Sequence, residues 1–302
     1  MTIDIVLATY NGERYIAAQI DSIFAQDYTD WRLVIRDDAS ADKTPEILAE
    51  YEKKHPDRIW VLKGEKKRLG IVGNFSTLLT ATTAPYVMCA DQDDVWLPGK
   101  ISLTLAGMQE LEKTHGNTTP LLVHTDSTIV NEKLETLAAS FGAHHKLNPF
   151  DSPFPRLLVQ NTVQGCTVMV NRALLALALP IPPVARMYDM WLALVAASMG
   201  YIGYIEQATV KYRQHSANAL GVRKKTLRER VGNIQNMMES NVTQAVLFHD
   251  RFEKQLSDDN RKIVRAFSKM PDHGFFKRRI VLVQNNILRQ PAWENVPMLV
   301  FV

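Results

Sequence analysis

The stretch "IDIVLATYNGERYIAAQIDSIFAQDYTDWRLVIRDD", residues 3–38, decides the reading of the fold. It opens on a short continuous apolar run (3–8), of the kind found in a strand covered on both faces. Residues 14–26 then place Ile16, Ile20, Ile23 and Phe24 on one helical face. "WRLVIRD" (31–37) returns to strand character. Strand, helix, strand in that order is a βαβ unit, which implies a parallel pair of strands.

The alternation continues outward. Residues 42–54 read as helix, 58–63 as strand, 73–82 as helix, 86–90 as strand and 99–113 as helix. Beyond residue 120 the pattern mixes. "LLVHTDSTIV" (121–130) and "CTVMVN" (166–171) read as strands, and "YDMWLALVAASMG" (188–200) as a buried helix. "YIGYIEQATVKYRQH" (201–215) reads as two short strands, and helices with alternating charge follow from Thr226. The expected class is α/β, with a mostly parallel central sheet flanked by helices and a helical C-terminal appendage. The weak boundary between the two falls near Gly221.

Composition is that of an ordinary globular protein, with 46% hydrophobic and 22% charged residues over 302 positions. Cys89 and Cys166 each lie in an apolar run, and no Cys/His spacing suggests zinc. The opening residues have no basic region or cleavage site, with Asp4 inside the first apolar run. No apolar stretch approaches the roughly 20 residues of a membrane span. The expected location is the cytoplasm. The net charge of +3 conceals an asymmetry: residues 1–210 hold 18 basic and 24 acidic side chains, residues 211–302 hold 17 and 8. A basic tail on an acidic body suits phosphate, whether of lipid headgroups or of nucleic acid. No nucleic-acid-binding module accompanies the charge.

Three loops fall at expected strand ends: "TYNGE" (9–13), "RDDAS" (36–40) and "DQDD" (91–94). Ligands of open α/β sheets bind outside the carboxyl ends of the strands. Three carboxylates in four residues repel one another, and hard oxygen ligands select Mg²⁺ or Mn²⁺, often shared with substrate phosphates. An acidic loop capping the helix near Gly99 accounts for the spacing equally well. Asp37 and Asp38 could contact a base or ribose, or form an Asx-turn. Neither a P-loop nor a dinucleotide-binding glycine pattern is present.

These segments, with "RLGIVGNFSTLL" (68–79), "DQDDVWLPGK" (91–100) and "YDMWLALVAASMGYIGYIEQATVKYRQHSANALG" (188–221), together resemble an inverting family-2 glycosyltransferase. The likeness runs over residues 3–221, and its motif style is similar to the rhamnosyltransferase-like branch that builds bacterial surface polysaccharides such as O-antigen or capsule. The resemblance implies a GT-A fold over 1–221, with a nucleotide-sugar-binding half at about 1–120, an acceptor-binding half at about 121–221, and a helical region at 222–302. It implies a donor such as dTDP-rhamnose, with a UDP-sugar as the alternative, and a lipid-linked saccharide acceptor.

By the same resemblance, Thr9, Tyr10 and Glu13 line the nucleotide pocket and Asp38 holds the base. Asp91 contacts the ribose or the metal's waters, and Asp93 binds Mg²⁺ or Mn²⁺. Asp189 is the general base, although the residue also suits the N-cap of a helix beginning at Met190. Arg213 and His215 are placed on the diphosphate and the metal, and a plain strand edge fits them as well. Ala8 and Ala39 depart from the family's usual Ser or Thr and Gly, and Ala39 would be strained at positive φ. A sugar-1-phosphate nucleotidyltransferase or a non-catalytic nucleotide-sugar binder are more distant alternatives. In the tail, Phe275, Phe276, Ile280, Leu282 and Val283 beside Lys277, Arg278 and Arg279 suggest peripheral contact with anionic lipid; a solvated helical surface is the plainer reading.

Overall fold

The computed structural model describes residues 2–64, 67–215 and 227–301. The expected boundary near Gly221 therefore lies outside the described residues. The strands are β1 Ile3–Thr9, β2 Trp31–Asp37, β3 Ile59–Val61, β4 Tyr86–Asp91, β5 Val95–Trp96, β6 Leu121–Val130, β7 Thr136–Ala138, β8 Val168–Asn171 and β9 Tyr201–Arg213. The helices of the first half are α1 Ile16–Phe24, α2 Thr44–Lys54, α3 Gly70–Thr80 and α4 Lys100–His115. Next come α5 Phe141–His144, α6 Phe154–Leu157, α7 Arg172–Ala178 and α8 Tyr188–Met199. The C-terminal helices are α9 Leu227–Phe252, α10 Asp258–Ser268, α11 Phe275–Gln284 and α12 Asn295–Phe301.

The sheet runs β3-β2-β1-β4-β8-β6-β9-β5, with β7 pairing β6 off that path. From β3 to β4 every pairing is parallel, as the βαβ pattern requires. β8 then enters antiparallel to both β4 and β6, while β6 and β9 are again parallel. β1 and β4 are buried along almost their whole length, which is why both read as continuous apolar runs. Asp4, the one charge inside β1, is fully buried. Arg32 grips it bidentately at 2.8 and 2.9 Å, and the Thr83 and Ala84 amides donate to its second oxygen. A buried carboxylate persists only with its acceptors satisfied in this way.

The two short strands expected over 201–215 are one strand. β9 follows β6 in parallel for ten partnered positions, with register shifts on either side of Asp126. The extra residues of β9 opposite those shifts, around Glu206 and Gln207, form an irregularity that sequence alone shows as a break. At its far end β9 pairs with β5, Val95 opposite Lys211 and Trp96 opposite Val210. This short ladder joins the segment after "DQDD" to the segment before His215.

The C-terminal helices share the main core. Met238, Val242, Ala245, Phe248 and Phe252 of α9 join Trp191 of α8 and Phe154 of α6 in one buried cluster. Each buried phenylalanine contributes about 1.5–3 kcal/mol to holding α9 against the body. Among the described residues no helix is long and apolar enough to cross a membrane.

Candidate active site

The carboxyl ends of β1, β2 and β4 finish level, because Thr9 is in register with Asp37 and Ala8 with Asp91. Their loops are tied to one another. Gln92 clasps the backbone of Tyr10, its Oε1 accepting from Tyr10 N at 2.8 Å and its Nε2 donating to Tyr10 O at 2.9 Å. A Cβ on Gly12 would overlap that carboxamide, so the residue must be glycine for the clasp to close. Glu13 Oε2 accepts from Lys43 N, and Glu13 N donates to Asp42, which fastens the first loop to the start of α2. The Arg68 guanidinium lies 4.0 Å over the Tyr10 ring, the geometry of a cation–π contact.

The two acids of "RDDAS" have separate partners. Asp37 accepts from the Thr9 hydroxyl and from the backbone and hydroxyl of Ser40, which is the Asx-turn reading. Asp38 is buried and accepts from Arg36 Nη1 and from the amides of Leu69 and Gly70. Three such bonds leave its carboxylate roughly one free acceptor position. Ala39, between this pair and Ser40, sits at φ 63°, the left-handed conformation in which an alanine is strained.

The acids of "DQDD" do not cap α4. That helix begins at Lys100 with Gly99 before it, and the side chain that accepts from its first turn is Gln26, whose Oε1 takes a bond from Ile101 N at 3.2 Å. Instead they face different ways. Asp94 is fully buried; its Oδ1 accepts from Arg213 N, while its Oδ2 has no hydrogen-bond partner among the described residues. Burial and the neighbouring charges of Asp93 and Asp91 push its pKa up. Asp93 is partly open, and its Oδ2 lies 2.8 Å from His215 Nε2, whose ring packs 5.0 Å from that of Tyr15. Asp91 is partly buried, and burial beside the charges of Asp93 and Asp189 raises its pKa. Arg213 is almost fully buried, with Nε donating to Asp93 O and Nη1 to Glu132 O, and its guanidinium lies over the Tyr15 ring. These bonds make Arg213 a strut under the Asp93 backbone.

Beneath this layer Lys100 is fully buried, its ammonium 4.7 Å over the Trp96 ring and without a hydrogen-bond partner among the described residues. Burial lowers its pKa to about 8, and the nearby Asp94 acts in the opposite direction. Asp91, Asp94 and Cys166 bring ligand atoms within 4.8 Å of one another. Burial holds the Cys166 thiol protonated, so that inner group offers a hard cation only carboxylates. The Asp93–His215 pair combines a carboxylate oxygen and an imidazole nitrogen at the accessible edge. That donor set fits Mn²⁺ or Mg²⁺ completed by other oxygens.

Asp189 stands on the second residue of α8, whose N-cap is Met187; the N-cap reading of Asp189 is therefore not what the backbone adopts. Its carboxylate accepts from Met190 N at 2.7 Å, and the nearby Gly165 amide and Asn161 side chain also favour its charged form. Burial nevertheless raises its pKa to about 6. A Cβ on Gly165 would come within 3.1 Å of Asp189 Oδ2 and overlap the Tyr188 hydroxyl, so this close approach needs glycine. Tyr188 itself stacks on Phe75 at 3.7 Å. Gln92, Arg68 and Lys100 escape a reading by motif. The one available signal was Gly12, a glycine with no turn role that its own segment demands.

Residues 4–146 match the family described as Glycosyl transferase family 2. The dTDP-rhamnosyl transferase RfbG of Shigella flexneri is 37% identical over 98 residues, which is 32% of this chain and 34% of that protein. The UDP-Glc:alpha-D-GlcNAc-diphosphoundecaprenol beta-1,3-glucosyltransferase WfgD of Escherichia coli is 28% identical over 176 residues, covering 57% of this chain and 61% of its own. The chain thus spans less than two thirds of either relative. Among solved structures, the mannosyltransferase PcManGT of Pyrobaculum calidifontis, in complex with GDP-Man and Mn²⁺, superposes with a TM-score of 0.53 at 18% identity, covering 99% of this chain and 84% of that one. The mixed α/β architecture is that of GT-A transferases.

Proposed function

Residues 4–146 are a glycosyl transferase family 2 domain, and from that premise we propose that the protein transfers a sugar from a nucleoside-diphosphate donor to a hydroxyl of a bacterial surface polysaccharide. One observation carries the reading. At the carboxyl end of β4, Asp93 meets His215, 122 residues away, at 2.8 Å, and the neighbouring Asp91 is close enough to Asp93 and Asp189 for their charges to raise its pKa.

In this reading Asp93 and His215 hold Mg²⁺ or Mn²⁺, which when bound supplies Lewis-acid stabilisation to the departing diphosphate. Asp91 contacts the ribose or the metal's waters. Thr9, Tyr10 and Glu13 line the nucleotide pocket, with the remaining acceptor position of Asp38 turned to the base. Arg213 acts on the diphosphate indirectly, by fixing the Asp93 backbone. Asp189 takes the acceptor hydroxyl's proton as that oxygen attacks the anomeric carbon from behind, so configuration inverts in a single displacement. Its pKa near 6 leaves most of it ionised at neutral pH yet basic enough to help. We assign donor binding to about 1–120, acceptor binding to about 121–221, and a cytoplasmic site of action.

The first donor to try is dTDP-rhamnose, in view of RfbG; a UDP-sugar is the second, in view of WfgD. Titration of the protein with dTDP-rhamnose, UDP-glucose and GDP-mannose, each with Mn²⁺ and then with EDTA, tests the reading. Binding of one donor that EDTA abolishes is expected. Failure of all three to bind and to be turned over with polysaccharide intermediates would overturn it.

A further inference from the structure

The C-terminal helices bury one side and leave the other bare. On α11, Phe276, Ile280 and Val283 repeat at i, i+4 and i+7 and are all exposed, Phe276 to 79%. Trp293, Val296 and Val300 repeat at i, i+3 and i+7 across the turn into α12 and are exposed as well. Arg279 Nη2 donates to Val300 O at 3.1 Å, so the two helices are neighbours. Leu282, expected in this face, is instead fully buried and anchors α11 from behind. Two stripes of large apolar side chains on neighbouring helices are more than the scattered exposure normal to a protein surface.

We infer that this two-helix face is a docking surface for an anionic phospholipid bilayer. Charge argues for that occupant. From the start of α11 to the end of α12, residues 275–301 hold four Lys and Arg and one acid, Glu294, which is paired with Arg289 at 3.3 Å, and Lys277 is exposed beside Phe276. Apolar and aromatic side chains flanked by cations, with the one acid already ion-paired, match the boundary between headgroups and acyl chains. Position argues for it too. The turn between the helices is bonded to the catalytic body: Gln290 N donates to Gln160 Oε1 at 2.6 Å, and Gln160 Nε2 returns a bond to Gln290 O at 2.7 Å. Asn161, the next residue, lies near enough to Asp189 to favour its charged form. The turn that carries this face is therefore fastened to the segment beside the proposed base, near which a lipid-linked acceptor would present its sugar. That last point rests on the transferase reading; the docking surface does not.

Sedimentation of the full-length protein with phosphatidylcholine vesicles, with and without phosphatidylglycerol, tests the surface. Partitioning onto the anionic vesicles is expected to be about tenfold or more tighter than onto neutral ones and to weaken with salt. Phe276→Ser with Ile280→Ser and Val283→Ser, or Val296→Ser with Val300→Ser, should each lower it about tenfold while the unfolding temperature stays unchanged. Lys277→Gln should lower it several-fold. Indifference of the wild type to anionic vesicles overturns the inference, as does unchanged binding by both stripe variants. A dimer that both variants dissociate, with no vesicle binding by the wild type, would give the face to a second copy. Donor titrations without vesicles separate the two ideas: donor binding without vesicle binding sinks only the docking surface, and the converse sinks only the transferase.

Discussion

Gly12 and Gln92, eighty residues apart in sequence, are mutually dependent: the Gln92 carboxamide occupies the space where a Gly12 side chain would begin, and from there it bonds both backbone groups of Tyr10. The first loop of the sheet is thereby locked to the acidic loop after β4, and the candidate nucleotide pocket lies between them.

Gly12→Ala should displace Gln92 and release Tyr10. We expect donor affinity to fall about tenfold, the equivalent of roughly 1.4 kcal/mol, measured by calorimetry. Gln92→Leu should reproduce much of that loss. Wild-type affinity in both variants would mean that the clasp does not shape the pocket.

Asp93→Ala and His215→Ala should each abolish the Mn²⁺ dependence of donor binding and lower kcat/KM about 100-fold or more, as expected when a Lewis acid is lost. Direct Mn²⁺ titration of each variant provides the independent readout. Retention of wild-type Mn²⁺ affinity by both would remove the pair from the metal.

Asp189→Asn should bind donor within about twofold of wild type and lose at least about 10²–10³ in kcat, the range of a missing general base. Because the base works only when ionised and its pKa is raised to about 6, wild-type kcat/KM should rise with pH through about 6 and then level. A profile flat from pH 5 to 8 would leave Asp189 a structural acceptor for Met190.

Ala39→Gly removes the steric cost of a side chain at φ 63° and adds chain entropy to the unfolded state. The first effect is about 1–2 kcal/mol and the second about 0.4–1 kcal/mol, so the variant should gain up to about 1.6 kcal/mol. Denaturant unfolding measures it, and a loss of stability would show that Ala39 packs better than its φ suggests.

His124 is buried, and burial lowers its pKa to about 3. Below the ordinary value of 6.5 the unfolded chain takes up a proton that the folded chain refuses, so this group costs stability as pH falls from 6.5 towards 3. The slope is about 1.4 kcal/mol per pH unit. The unfolding free energy of His124→Asn should therefore gain on the wild type as the buffer is acidified. A pH-independent difference between the two would show that His124 protonates in the folded state.

Sequence by itself was enough for the parallel half of the sheet, because each buried strand from β1 to β4 is short, apolar and separated by an amphipathic helix, so period and burial agree locally. It was also enough to mark the strand ends as the place for ligands, since that follows from topology. It could not decide how the second half closes. The irregularity in β9 depends on its partner β6, and the two-residue β5 exists only because β9 passes beside it. That pairing is what carries His215 to Asp93 and sets Arg213 beneath the loop, so the meeting of these residues is a tertiary event. The same holds for Asp38 and Gln92, whose partners lie 31 and 82 positions away, at Leu69 and Tyr10. Local sequence records which groups could bond or carry charge; long-range packing chooses their partners, because burial makes every unpaired polar group costly and leaves few arrangements that satisfy them together.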